Sequence, residues 1–261
     1  IPDSAEESAF LALSAAAQCR FSNGETHAQQ TVTAAEKAMQ GFADDVSHTA
    51  TCALYAGAYR HLQEAHIVCG EAERAQDCAR LSDQWHEVVK SRWYAQHGAL
   101  SDAESSGPTS EWTQALALYF GLLSAEQAHS VTELRSQFDE SIDSQWQAFF
   151  LAGGLWQYGL VAHARACVDR YWGRLLKRAG MSWRARADTQ EIVPGVDALL
   201  ARHVLGVYPL GSGNNAVEVR PQVKEPMQRV SGTIHIGASA LDIEWSLNRA
   251  GYFSLVVEQH V

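Results

Sequence analysis

The sequence is poor in positive charge. Against 30 Asp and Glu it sets 20 Lys and Arg, for a formal net charge of −10, and nowhere are more than two basic residues adjacent. Phosphate backbones and anionic membrane surfaces are held by a concentrated positive face, so neither nucleic acid nor a membrane is expected as a partner. Long apolar runs are missing as well. Each is broken well short of the roughly 20 residues that span a bilayer.

Familiar site motifs are also lacking. There is no HExxH, no paired CxxC, no Gly-x-Ser-x-Gly and no phosphate-cradling glycine loop, and "GSGNN" from Gly211 precedes a strand pattern and reads as a turn. No Asn-x-Ser/Thr acceptor occurs. The five cysteines (Cys19, Cys52, Cys69, Cys78, Cys167) are odd in number and widely spaced, so at least one thiol has no partner within the chain. His48 and Cys52 are four apart and His66 and Cys69 three apart, which suits metal ligation on a helix. Both pairs lie in apolar stripes, so they are read as core residues; no metal and no cofactor is expected. The chain opens Ile-Pro-Asp, with neither Met nor a basic-then-apolar leader, which makes a fragment or a processed product the expectation.

What is there is a core. With 46% hydrophobic residues in 261, the chain has material for one large core or a core with a satellite domain. From about Ser4 to Gly206 apolar residues recur every three or four positions: Cys52, Tyr55, Tyr59, Leu62, His66 and Cys69; Cys78, Leu81, Trp85, Val88, Val89 and Trp93; Trp112, Ala115, Leu116, Tyr119, Phe120 and Leu123; Val161, Ala164, Val168, Tyr171, Trp172, Leu175 and Leu176. Each stripe is one buried face of an amphipathic helix. Gly70, Asp102–Ser110, Ser124, Gly153, Gly154 and Gly159 are the expected helix ends or kinks. Trp146 and Trp156 are expected in the core. The acidic Asp44-Asp45 and Asp139, Glu140 and Asp143 fit helix N-termini, where they offset the helix dipole.

After "YPLGSGNN" (Tyr208–Asn215) the period changes from 3.6 to 2. Val217 and Val219, Val230 to Ile236, Leu241 to Leu247, and Phe253 to Val257 alternate as antiparallel strands, with Gly237 and "NRAG" (Asn248–Gly251) as turns. The expected architecture is mainly α with a C-terminal β domain: helical hairpins over 1–207, then a small antiparallel β-sandwich over 208–261.

Three segments carry a resemblance. "TSEWTQALALYFGLLSAEQ" (Thr109–Gln127), "ARHVLGVYPLGSGNNAVEVRP" (Ala201–Pro221) and "SGTIHIGASALDIEWSLNRAGYFSLVVE" (Ser231–Glu258) together resemble, in order, the catalytic and C-terminal portions of α-L-rhamnosidases. Those six-hairpin glycoside hydrolases pair an (α/α)6 barrel with a β-sandwich. The likeness implies a partial (α/α)6 toroid here, with seven or eight helices in place of twelve and no counterpart to the family's acidic cluster in the N-terminal barrel half.

The family's general base is a glutamate after a Gly-Ala-Thr-Thr-x-Trp turn. Here Trp172-Gly173 leads to Ala179, Gly180, Met181, Ser182, Trp183 and then Arg184, and the family's Ser-His matches Thr189-Gln190. Inverting hydrolysis needs one carboxylic acid and one carboxylate about 6.5–9.5 Å apart. An arginine cannot accept a proton at neutral pH and repels an oxocarbenium-like charge. Glu191 and Asp188 are the carboxylates near enough in sequence to substitute as base, and Trp183, Arg184 and Gln190 are the expected sugar contacts. The resemblance therefore implies a rhamnosidase-like domain that has lost its acid/base pair and binds a rhamnose-containing carbohydrate or a protein partner. The alternative is an active inverting rhamnosidase fragment completed by a missing N-terminal half or a second subunit. A partial barrel exposes a wide apolar face, so a homo-oligomer or a completing partner chain is expected.

Overall fold

In the computed structural model, which describes residues 4–21, 26–40, 48–102, 110–137, 145–179, 196–210, 216–223, 227–236 and 239–260, the chain divides into two compact units, Ile1–Ser141 and Ile142–Val261. The fold is mainly α with a small C-terminal sheet region. Nine α-helices occur among the described residues, one or two more than the periodicity suggests, the last being a five-residue piece. The change from helix to strand falls at Gly206 and Val207, inside the second unit.

The first unit is organised around α3 (Thr49–Val68). Every side chain from Thr49 to Tyr59 is buried, so this helix needs neighbours on all sides. α1 (Ala5–Phe21), α2 (Thr26–Gln40), α4 (Ala72–Ser91) and α5 (Glu111–Tyr119) supply them. Tyr55 marks the centre: its ring meets Trp85 of α4 and Tyr59 edge-on at centroid distances of 5.1 and 6.2 Å. Its hydroxyl reaches Ser8 Oγ of α1 at 3.1 Å and the Met39 carbonyl of α2 at 3.4 Å. The N-terminus of α3 is capped from a distance. Thr49 N–H donates to Asp102 Oδ1 at 2.8 Å, and the Thr49 hydroxyl donates to the Ser101 carbonyl at 2.7 Å.

Asp102 is held there by a short hairpin, β1 (Trp93–Tyr94) with β2 (Ala99–Leu100). Trp93 thus leaves the α4 stripe for which its spacing suits it. Gln114 of α5 fixes β2, accepting from Leu100 N–H at 3.2 Å and donating to the Leu100 carbonyl at 3.1 Å. α6 (Ala125–Gln137) follows a box at its start: Ser124 N–H donates to Gln127 Oε1 at 2.8 Å, and Gln127 N–H donates to Ser124 Oγ at 3.1 Å.

In the second unit α7 (Gln145–Gln157) packs on α8 (Val161–Ala179). α7 is continuous through Gly153 and Gly154, which are buried, and stops before Gly159, so of these three glycines only the last marks a helix end. Trp156 is buried as expected, whereas Trp146 is 49% exposed and lies outside the core. α9 (Val196–Leu200) continues into one π-helical turn, Ala201–Leu205, ended by Gly206 in the left-handed conformation (φ 81°). A side chain at Gly206 would collide with the backbone of Arg220 and Pro221, just past the strand that ends at Val219, where Arg220 N–H donates to the Gly206 carbonyl.

The strands form two layers. β3 (Val207–Pro209) pairs with β4 (Val217–Val219), and β5 (Arg229–Ile236), β6 (Ser239–Leu247) and β7 (Phe253–His260) form an antiparallel sheet in that order. Leu205, Val207 and Ile243 are the core between them, with Val217, Val219, Val230, Ile234 and Leu241 packed around. The register sets Val230 against Trp245 and Trp245 against Leu255, so one face is apolar. The other carries the Arg229–Glu244 ion pair at 2.9 Å and Asp242 bonded by Thr233 and His260 at 2.5 and 2.8 Å. Trp245, fully buried, donates its indole N–H to the Val204 carbonyl at 2.8 Å and ties the sheet to the π turn.

A Cβ on Gly57 of α3 would collide with the ring of Phe120. Gly57→Ala is therefore expected to cost about 1–3 kcal/mol through overpacking, despite alanine's better helix propensity. Urea unfolding measures it; an unchanged or raised midpoint would show that Phe120 moves aside freely.

Candidate functional site

Trp183, Arg184, Asp188, Gln190 and Glu191 lie outside the described residues, as do Asp44, Asp45, Asp139, Glu140 and Asp143. Among the described residues, chemistry collects in two places in the first unit.

The first begins where α3 ends. Gly70 (φ 74°) turns the chain back so that Glu71 N–H donates to the His66 carbonyl at 2.9 Å. That turn sets the Glu71 carboxylate 2.7 Å from His66 Nδ1, at the last turn of α3 and the N-cap of α4. Both charges suit the helix ends on which they sit. His66 Nε2 points the other way, 3.4 Å from Glu36 Oε2 of α2, off line for a hydrogen bond. Cys78 of α4 places its Sγ 4.0 Å from Glu36 Oε1. Arg74 joins Glu71 at 3.4 Å and donates to Thr33 Oγ1 at 2.9 Å.

Burial alone would push the His66 imidazole down, and Glu36 and Glu71 together reverse this, so its pKa stands above the ordinary histidine value. The neighbouring His66 holds the Glu36 carboxyl below its usual range. Burial, with Glu36 and Asp77 acting in the same sense, pushes the Cys78 thiol up to about 12. His66 and Cys52 are core residues, as their stripe implies, while His48 is exposed in front of α3. The residues that meet His66 are Glu36, Glu71 and Cys78, and not Cys69. Glu36 stands thirty positions away in sequence and gives no local signal; the Gly70 turn is the one clue to Glu71.

The second place is a groove of about 610 Å³. His86 and Lys90 of α4, Trp93 of the hairpin, and Glu126, Gln127 and Ser130 of α6 line it. His86 Nε2–H donates to the Leu122 carbonyl at 3.1 Å, which orients the ring, and Lys90 pairs with Glu87 at 3.1 Å. Trp93 is half-buried, with Lys90 and Glu126 exposed beside it. Glu126 is the one carboxylate among the described lining residues.

No protein-family model matches the chain, and no characterised protein matches it in sequence. The crystal structure of a GH78 family rhamnosidase of Bacillus sp. GL1 matches in three dimensions, with a TM-score of 0.64 and 19% identity over 81% of this chain. The chain is similar in fold to that rhamnosidase. It spans about a quarter of the rhamnosidase's length, 25% of that chain. The expectation drawn from the three quoted segments is met at the level of fold.

Those segments prove to be packing residues. Leu205 presses on Gly232, Gly206 on Arg220 and Pro221, and Trp245 on the π turn, while Arg202 and Arg220 lie over the Tyr208 ring at 5.6 and 5.1 Å. Beside them His203 stacks on Trp156 with centroids 5.3 Å apart and planes within 8°. His203 Nδ1 has no protein hydrogen-bond partner, and burial, aided by Arg202, pushes its pKa down to about 4.

A histidine depressed in the folded state, from 6.5 to about 4, binds its proton more readily when unfolded. Its contribution to stability is complete above about pH 6.5, and up to about 3 kcal/mol is lost as the pH falls to 4. His203→Phe, which keeps the stack, is expected to flatten that part of the stability–pH curve; identical slopes in both proteins would contradict the burial of a neutral His203.

Proposed function

We propose that this chain is a rhamnosidase-like domain that binds carbohydrate without hydrolysing it. The observation that carries the reading is the groove bordered by Trp93. An indole offers a face on which a sugar ring stacks, and His86, Lys90, Gln127 and Ser130 offer the hydrogen-bonding groups that orient hydroxyls. Hydrolysis with inversion needs a second carboxylate across the cleft, and the described lining supplies Glu126 alone. Arg184 at the position of the family's base supports the same conclusion from sequence. The fold likeness to a rhamnosidase makes rhamnosyl oligosaccharides the first ligands to try.

Calorimetric titration of the purified chain with rhamnose and rhamnosyl oligosaccharides, with aryl-rhamnoside hydrolysis followed on the same sample, tests this. Binding without turnover is expected, weakened roughly 2- to 10-fold by Trp93→Ala, since ring stacking contributes about 0.5–1.5 kcal/mol. Loss of binding in Trp183→Ala instead would move the site to Trp183 and Arg184. Turnover would favour the active-fragment reading, with Glu191 or Asp188 as base. Failure to bind any of these sugars overturns the proposal.

The partner side of the reading rests on β7, the outer strand of its sheet among the described residues, where Phe253 (47%), Leu255 (37%) and Val257 (45%) stand exposed in a row. Such a row on an unpaired edge calls for cover. Sedimentation velocity at micromolar concentration is expected to show a dimer that Val257→Lys converts to monomer; a monomeric parent protein would sink this part.

A further inference from the structure

We propose that Glu36, His66 and Cys78 bind a single zinc-type divalent cation, which fastens α2, α3 and α4 together. This goes beyond the sugar-binding reading and does not depend on it.

The three side chains offer the donor classes zinc takes: imidazole nitrogen, thiolate sulfur and carboxylate oxygen. Their ligand atoms all lie within 4.8 Å of one another, with His66 Nε2 3.4 Å from Glu36 Oε2 and Cys78 Sγ 4.0 Å from Glu36 Oε1. Bond lengths of about 2.0–2.3 Å at a tetrahedral ion give edges of roughly 3.3–3.6 Å, so closure draws the ligand atoms together by up to about an ångström. The protein supplies three ligands, which leaves the fourth position of a tetrahedron to water.

His66 Nε2 is the second, independent sign. Its side chain is 1% exposed, and this atom has no hydrogen-bond partner while facing Glu36. On the far side Glu71 holds Nδ1 at 2.7 Å, which fixes the tautomer with Nε2 as ligand, and Arg74, itself donating to Thr33, holds Glu71 in turn. This carboxylate–histidine relay is the usual outer shell of a zinc histidine. Cys78, fully buried, already donates its thiol to Glu36 Oε1 at 4.0 Å, and a cation taking the place of that proton joins all three side chains at one point. A doubly charged ion with one thiolate and one carboxylate is neutral overall, and the protons displaced from Cys78 and from His66 Nε2 go to solvent.

The test uses the full chain, stripped with a chelator and titrated with zinc chloride or cobalt chloride. One equivalent of zinc is expected by competition with a colorimetric chelator, together with a rise in melting temperature. Cobalt is expected to give sulfur-to-metal absorption that Cys78→Ser abolishes and Cys69→Ser retains, with circular dichroism showing both variants folded. Absence of stoichiometric zinc, or a cobalt–thiolate band that survives in Cys78→Ser, overturns the proposal.

Discussion

A helix buried on every side cannot hold its place alone, and α3 imposes that condition on the whole first unit. Eleven successive residues from Thr49 to Tyr59 have no solvent face. Burying them requires four neighbouring helices, and burying the backbone at their N-terminal end requires donors and acceptors from elsewhere. Asp102 and Ser101 answer the second need, and the β1–β2 hairpin held by Gln114 exists where it does because Asp102 must reach Thr49. Gly57 and Phe120 show the same pressure in steric form, since α5 comes close enough only where α3 has no Cβ.

The other end of α3 meets charge as well as a backbone cap. His66 lies where the helix carbonyls favour a cation, and the turn at Gly70 delivers Glu71 to it from the start of α4. Glu36 then approaches from α2, so three helices meet on one imidazole. Breaking such a group by removing one member leaves a buried charge without its partner, which costs more than the intact set contributes.

Much of this was legible in the sequence. The stripes of α4 and α8 follow the 3.6 period because each helix has one buried side, whereas α3 and α5 are buried beyond the single face their stripes imply, and the strands follow the period of 2 because their sheet has one apolar face. Where the reading failed, a tertiary contact had overridden a local signal. Gly153 and Gly154 sit inside α7 because the core closes around them, and Trp93 leaves its helical stripe because α4 must stop for the hairpin that carries Asp102. The chemistry was far less legible. Glu36, Cys78, Trp93 and Glu126 come from different helices and loops, and no spacing rule joins residues that only the fold brings together.

The segments that resemble rhamnosidases bear on this difference. Leu205, Gly206, Arg220, Pro221, Gly232 and Trp245 are recognisable because each is constrained by geometry: a left-handed turn against backbone, a leucine side chain on a glycine, an indole bonded to the Val204 carbonyl. Acid and base carboxylates are under no such compulsion, since replacing them leaves the packing intact. A likeness carried by packing residues is therefore evidence about fold and not about activity. Activity has to be argued from the side chains that line a groove, such as His86, Trp93 and Glu126, and not from the architecture that carries them.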